Sequence, residues 1–241
     1  MQAGTTIFEH MSGLARAHGA INLGQGFPDF GWSPEVLAAG AEAITTGYNQ
    51  YPPMRGLPEL RAAAALFYGR RQGLDVAPEQ VIITSGATEA LAASIMAVAG
   101  AGDEVILFAP AYDAYAPLVQ RAGARPVWVE LQPPDWQASA EAIAAAITPR
   151  TRTILLNTPH NPTGGMAGPV MLAGIVDLAR RHDLIIISDE VWEEVITGDA
   201  PHVSAYTLAP ELTIKIGSAG KLLALTGWKV GLVTAAPPLM K

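Results

Sequence analysis

The 241-residue sequence contains no cysteine, which excludes a thiolate nucleophile, a disulfide and every cysteine-based zinc site. Its five histidines, at positions 10, 18, 160, 182 and 202, show no HxxxH or other paired spacing, so a metal centre is not expected. Charged residues make up only 15% of the chain and half of it is hydrophobic, which excludes a disordered, self-solvating polymer. Apolar runs are short: none reaches the roughly 18 residues that a membrane-spanning helix needs. The first ten residues, MQAGTTIFEH, carry neither the basic nor the apolar stretch of an export signal. The expectation from these absences is a cytoplasmic protein that does not span a membrane.

What is present points toward a small-molecule site. The net charge is −7, from 15 Lys and Arg against 22 Asp and Glu, and the cations are scattered rather than striped. That distribution speaks against nucleic acid and anionic membrane as partners. The 24 glycines and 19 prolines exceed the usual share of roughly 12% without reaching low complexity. They belong at turns and where a ligand meets backbone.

From about residue 58 onward, short β-branched runs alternate with helical stretches, the pattern of βαβ units and a parallel sheet. Strands are expected at 81–84, 104–109, 125–131, 153–156, 184–188, 212–216 and 230–234, and helices at 34–45, 58–72, 88–98, 113–122, 138–147 and 169–182. Runs such as Leu184-Ile185-Ile186-Ile187 are apolar on both faces, as strands covered above and below must be. The fold class is therefore α/β, a three-layer αβα sandwich around a mostly parallel seven-stranded sheet. Residues 1–57, with one plausible helix, read as an arm packed on the sheet domain or on a neighbour.

Ligands of open parallel sheets sit beyond the carboxyl ends of the strands. The residues just past the expected strands are Ser85-Gly86-Ala87-Thr88, Pro110-Ala111-Tyr112-Asp113, the run 157–165 (NTPHNPTGG), Asp189-Glu190 and Gly217-Ser218-Ala219-Gly220-Lys221. Gly86, Ala87 and Thr88 open a helix with exposed backbone N–H groups, a phosphate cradle or an ordinary capped start. Two X-Pro steps give 157–165 an extended, rigid path that holds Asn161 in place, or merely a stiff turn. Asp189 ends an apolar strand, where a carboxylate needs a partner such as a cationic nitrogen; the alternative is a capping Asp with Glu190 exposed. Lys221 follows a loop too small to shield it, and is either an amine nucleophile or a solvated surface charge. Gly24-x-Gly26 has no preceding strand and is not a dinucleotide fingerprint.

Together SGATEAL, PAYDAY, NTPHNPTGG, SDEVWEE and IGSAGKLLALTGWKVG, with INLGQGFPDF and NQYPPMRGLPELR nearer the start, resemble the fold-type I pyridoxal-phosphate aminotransferases of class I/II. The branch they resemble contains the kynurenine, methionine and glutamine-phenylpyruvate enzymes. The resemblance implies the cofactor pyridoxal 5'-phosphate, with Lys221 forming an imine to its aldehyde and Asp189 pairing with its pyridinium nitrogen. It implies Asn161 on the ring oxygen and Tyr112 on the ring face. Gly86, Ala87, Thr88, Ser218 and Lys229 would hold the phosphate, and Gly26 and Asn161 the substrate. Tyr51 would reach the neighbour's phosphate across a homodimer. The implied reaction is ping-pong transamination between an aromatic or sulfur-containing L-amino acid and a 2-oxo acid. Carbon–sulfur β-elimination, a non-catalytic cofactor-binding module and an inactive fragment stand as alternatives.

The resemblance also divides the chain into 1–45, an N-terminal arm and small-domain segment, and 46–241, the cofactor-binding large domain. Two departures stand out. Trp192 occupies a position where the family usually has tyrosine, so cofactor tuning is expected to differ. Family members continue past the equivalent of Lys241 into a C-terminal small domain, whose arginine grips the substrate carboxylate and has no match here.

Overall fold

The structure is a computed structural model that describes residues 6–26, 32–47, 49–196 and 201–240. In chain order, helices α1 (Ile7–His18), α2 (Pro34–Thr46) and α3 (Pro58–Gln72) precede β1 (Val81–Ser85) and α4 (Gly86–Val98). Alternation follows through β2 (Glu104–Ala109), α5 (Tyr115–Arg121), β3 (Arg125–Glu130), α6 (Ala140–Ala146), β4 (Thr151–Asn157) and α7 (Pro169–His182). The last elements are β5 (Ile185–Asp189), α8 (Ala205–Leu208), β6 (Thr213–Ser218), α9 (Ala219–Leu222) and β7 (Val230–Ala235). The seven strands form one sheet in the order β1-β7-β6-β5-β4-β2-β3. Strand β7 runs antiparallel to both neighbours, β1 and β6, and every other pairing is parallel.

Because side chains alternate across a strand, each central strand feeds two cores. Val105, Leu107, Leu155, Ile187 and Ile216 pack on one face with Ala90, Leu91 and Ile95 of α4 and Val119 of α5. Ile106, Phe108, Ile154, Leu156 and Ile186 pack on the other with Ile143 of α6 and Leu172, Ile175 and Ala179 of α7. A smaller cluster joins Ala64, Ala65 and Tyr68 of α3 to Val81 and Leu232. The expected three-layer sandwich is the observed one. None of the helices described is long and apolar enough to cross a membrane.

The differences from expectation are local. Helix α1 falls in a stretch read as irregular, although Thr6 caps it by accepting the Glu9 N–H at 3.2 Å and Gly19 closes it in the left-handed conformation. Its only buried residue is Ser12 and α2 has none, so no deep core betrays these helices to the sequence pattern. The run 157–165 is a closed turn rather than an extended path: His160 N–H donates to Gly165 O at 2.7 Å and Gly164 N–H to His160 O at 2.8 Å. Lys221 lies in the helical turn α9 rather than a loop, its N–H bonded to Ser218 Oγ at 3.3 Å.

The reading of Glu190 as exposed is wrong, because one residue along a strand inverts the face. Asp189 turns toward the α4–α5 side, and Glu190 is fully buried beneath the sheet. There its carboxylate accepts from Lys215 Nζ at 2.5 Å, Ser188 Oγ at 2.8 Å and Ser204 Oγ at 2.9 Å, and meets His202 Nε2 at 2.9 Å. Lys215, with no exposed surface, also bonds Glu193. Burial alone would raise the Glu190 carboxyl, but Lys215 and His202 hold it down at about 2. Lys215 is the shared cation of two buried carboxylates, so removing it leaves Glu193 without a cation and Glu190 with His202 as its remaining basic partner. Lys215→Met is expected to cost about 3–5 kcal/mol, on the order of 10 °C in Tm for a chain of this size. Adding Glu190→Gln and Glu193→Gln should restore at least half of the loss in the same thermal denaturation.

Candidate active site

A cavity of about 630 Å³ opens at the carboxyl edge of the sheet. Its wall is assembled from all five segments that follow the strands: Ser85 to Thr88, Tyr112, Asn157 and Asn161, Asp189, and Ser218, Gly220 and Lys221. Lys229 and Gly26 line it as well. The convergence follows from topology, since parallel strands deliver all their carboxyl ends to one edge. Of the residues singled out from sequence, Tyr51 alone stands apart; it is fully exposed and does not line the cavity.

Asp189 forms the floor. Its carboxylate accepts the Tyr115 hydroxyl at 2.7 Å and the Val191 N–H at 3.2 Å, which fixes its orientation. Its carbonyl accepts Asn157 Nδ2 at 2.9 Å, and the same Asn157 side chain accepts the Asn161 N–H at 2.7 Å. Thus one asparagine at the end of β4 ties the 157–165 turn to Asp189. Burial pushes the Asp189 carboxyl up to about 6, against the smaller opposing pull of the Tyr115 and Val191 hydrogen bonds. Among the described residues no cation forms a salt bridge with it. It is a carboxylate suited to pairing with a cationic nitrogen placed in the cavity.

The opposite end of the cavity suits an anion. Helix α4 begins at Gly86, and its first N–H groups carry the positive end of the helix dipole. Gly86 adopts φ +77°, which few residues but glycine tolerate. Below it, a Cβ on Gly231 of β7 would collide with the Gly86 backbone, so the close approach of β7 to this turn requires glycine at 231. Lys229 enters β7 in the left-handed conformation, φ 56°, which brings its aliphatic stem alongside Gly86. A lysine, a helix N-terminus and the Ser218 hydroxyl thereby share one corner.

Lys221 lies between these poles. Burial lowers its ammonium pKa; Asp189 opposes that shift and Lys229 adds to it. A half-buried amine so placed is more readily neutral, and nucleophilic, than a surface lysine. The Tyr112 ring packs edge-on against Tyr115 with centroids 5.5 Å apart, and Phe8 of α1 lies 6.1 Å away. Tyr115 and Asn157 were not singled out from sequence. Tyr115, the first residue of α5, stands three residues after Tyr112, and that short spacing was the available signal.

The family model for aminotransferase class I and II matches residues 18–241. A probable N-succinyldiaminopimelate aminotransferase of Mycobacterium tuberculosis is 44% identical, covering 94% of this chain and 58% of that protein. The methionine aminotransferase of Escherichia coli is 41% identical over 99% of this chain and 62% of its own length. The solved structure of the Mycobacterium tuberculosis N-succinyldiaminopimelate aminotransferase superposes with a TM-score of 0.94 at 43% identity, covering 98% of this chain and 63% of that one. The chain spans about three fifths of the length of these relatives.

The Asp189 carboxyl titrates near 6 when folded, above the 3.8 of an unperturbed aspartate, so folding favours its protonated form. That contribution is complete below pH 3.8 and is lost as pH rises through 6. Without added ligand, Asp189→Asn should therefore stabilise the protein at pH 7.5 by about 3 kcal/mol. The gain should vanish near pH 4, as followed by urea denaturation at the two pH values.

Proposed function

The chain belongs to the class I and II aminotransferases, which are pyridoxal 5'-phosphate enzymes, and we propose that its cavity holds this cofactor and transfers an amino group between an amino acid and a 2-oxo acid. The observation that carries the reading is that Lys221, a buried carboxylate without a salt-bridged cation and the N-terminus of α4 face one cavity. The described residues fit the cofactor's chemistry at each point. Lys221 would hold its aldehyde carbon through Nζ, Asp189 its ring nitrogen, Asn161 its ring oxygen and Tyr112 its ring face. Gly86, Ala87 and Thr88, with Ser218 and Lys229, would hold its phosphate.

When bound, the group supplies an electron-accepting ring. The chain's own residues supply the rest. Asp189, oriented by Tyr115 and Val191, would offer its carboxylate to the ring nitrogen. With the cofactor bound, the free Lys221 amine would be placed to take the proton from the substrate Cα as a base and to deliver it as an acid to the cofactor carbon that receives the amino group. Burial lowers its pKa, which makes the proton-accepting form more accessible than in a surface lysine. Gly26 and Asn161 line the same cavity, where they would meet the substrate, and Asn157 ties Asn161 to Asp189.

For the amino donor we favour an aromatic or sulfur-containing amino acid. The names of two relatives support this: the methionine aminotransferase already described, and the kynurenine–oxoglutarate transaminase 1 of Rattus norvegicus, 38% identical over 95% of this chain and 58% of its own length. The apolar indole of Trp192 at the cavity wall gives such a side chain a surface to pack on. We take 46–241 as the cofactor domain and 1–45 as an arm with a small-domain segment, in keeping with the exposure of α1 and α2. Tyr51, turned wholly to solvent, is suited to meeting the cofactor phosphate of a second copy in a homodimer.

The chain has four lysines, at 215, 221, 229 and 241. After incubation with pyridoxal phosphate and borohydride reduction, peptide mass analysis should find the adduct on Lys221. Lys221→Ala should lose that adduct and lower transamination by about 10³-fold or more. An adduct confined to other lysines would overturn the assignment.

A further inference from the structure

Trp192 lies three residues past the end of β5, and its indole spans two parts of the cavity. The Nζ of Lys221 sits 4.1 Å from the ring centroid, well inside the range of a cation–π contact. At the far edge, Cη2 stands 3.8 Å from where a Cβ on Gly26 would be, so the ring fills the space between the lysine and the Gln25–Gly26 segment. Among the described residues, Lys221 Nζ makes no hydrogen bond or salt bridge. The indole face is its contact.

A ring face treats the two forms of an amine differently. The quadrupole attracts an ammonium but offers little to a neutral amine. Unlike a carboxylate, it neither accepts the amine's proton nor holds the group in one direction. The other titratable or charged groups around the cavity are Asp189, Lys229, Tyr112 and Tyr115. Asp189 favours the ammonium and Lys229 disfavours it, while burial keeps both tyrosine hydroxyls neutral by raising their pKa.

We propose that Trp192 is a positioning residue for Lys221: its indole face docks the ε-ammonium when the amine is free and protonated, and releases it on deprotonation. The ring thereby presents the amine to the cavity only in its nucleophilic form. This inference rests on the reading of Lys221 as the cofactor lysine.

Selective ¹³Cε-lysine labelling of the chain, without added cofactor, gives one NMR signal per lysine, with Lys221 assigned by Lys221→Arg. At low pH the Lys221 Hε protons should be shifted upfield by the indole ring current, and should return toward the ordinary value as the amine deprotonates. Trp192→Leu should abolish the upfield shift and lower the Lys221 pKa by about one unit. Trp192→Phe, which keeps a ring face, should retain part of both effects. The buried Lys215 signal shows whether each variant is folded, and if Trp192→Leu fails to fold, Trp192→Phe alone must still show a reduced ring-current shift. Hε shifts and a pKa that are the same in wild type and variant overturn the dock. Borohydride trapping on the wild type is a separate arm. An adduct on Lys221 without the ring-current shift overturns docking and leaves the site standing. The shift without an adduct overturns the cofactor reading and, with it, the claim that docking presents a nucleophile.

Discussion

The carboxyl group of Asp189 is buried at the end of an apolar strand, and much of the cavity is arranged around the cost of keeping it there. A buried carboxylate without a cation is unfavourable when ionised, so its surroundings supply fixed donors instead. Tyr115 and the Val191 N–H bind its oxygens, while Asn157 holds its carbonyl and the start of the 157–165 turn. These contacts orient the group without neutralising it. Folding therefore places at this point an unfavourable charge that a cationic group in the cavity would relieve.

The opposite face of the same strand solves the contrary problem. Glu190 and Glu193 are also buried, but Lys215, His202, Ser188, Ser204 and Gln72 bond them, leaving Glu193 Oε1 without a partner among the described residues. The alternation of side chains along extended backbone separates the two situations: Asp189, the last residue of β5, and Glu190, the next one, face different layers. One is structural and closed, and the other is open to the cavity. A Cβ on Gly217 would collide with the Tyr68 hydroxyl, so glycine there lets the Tyr68 ring of α3 approach β6 beside the structural cluster.

The alternation of elements and the convergence of the five post-strand segments were legible in the sequence because both follow from local pattern and from general rules of parallel sheets. Lys221, Asp189, Asn161, Tyr112 and the Gly86–Thr88 turn were found by that route. Tyr115 and Asn157 were not, since a tyrosine in a helix and an asparagine at a strand end carry no chemistry until a partner is placed beside them. The antiparallel direction of β7 was equally hidden, because strand direction depends on where the chain re-enters the sheet and not on the residues of the strand.

The sequence by itself determined the order of the strands and of the longer helices from α2 to α7 and the residue types at each strand end, because hydrophobic period, glycine and proline act within a few residues. It also excluded cysteine chemistry outright. Only the tertiary structure decided which acid faces the cavity, which lysine is locked in a salt-bridge cluster and which lies against an indole. Lys215 and Lys221 are six residues apart and equally plain as letters; their surroundings come from strands and helices far away in the chain, and a lysine's chemistry is set by those surroundings.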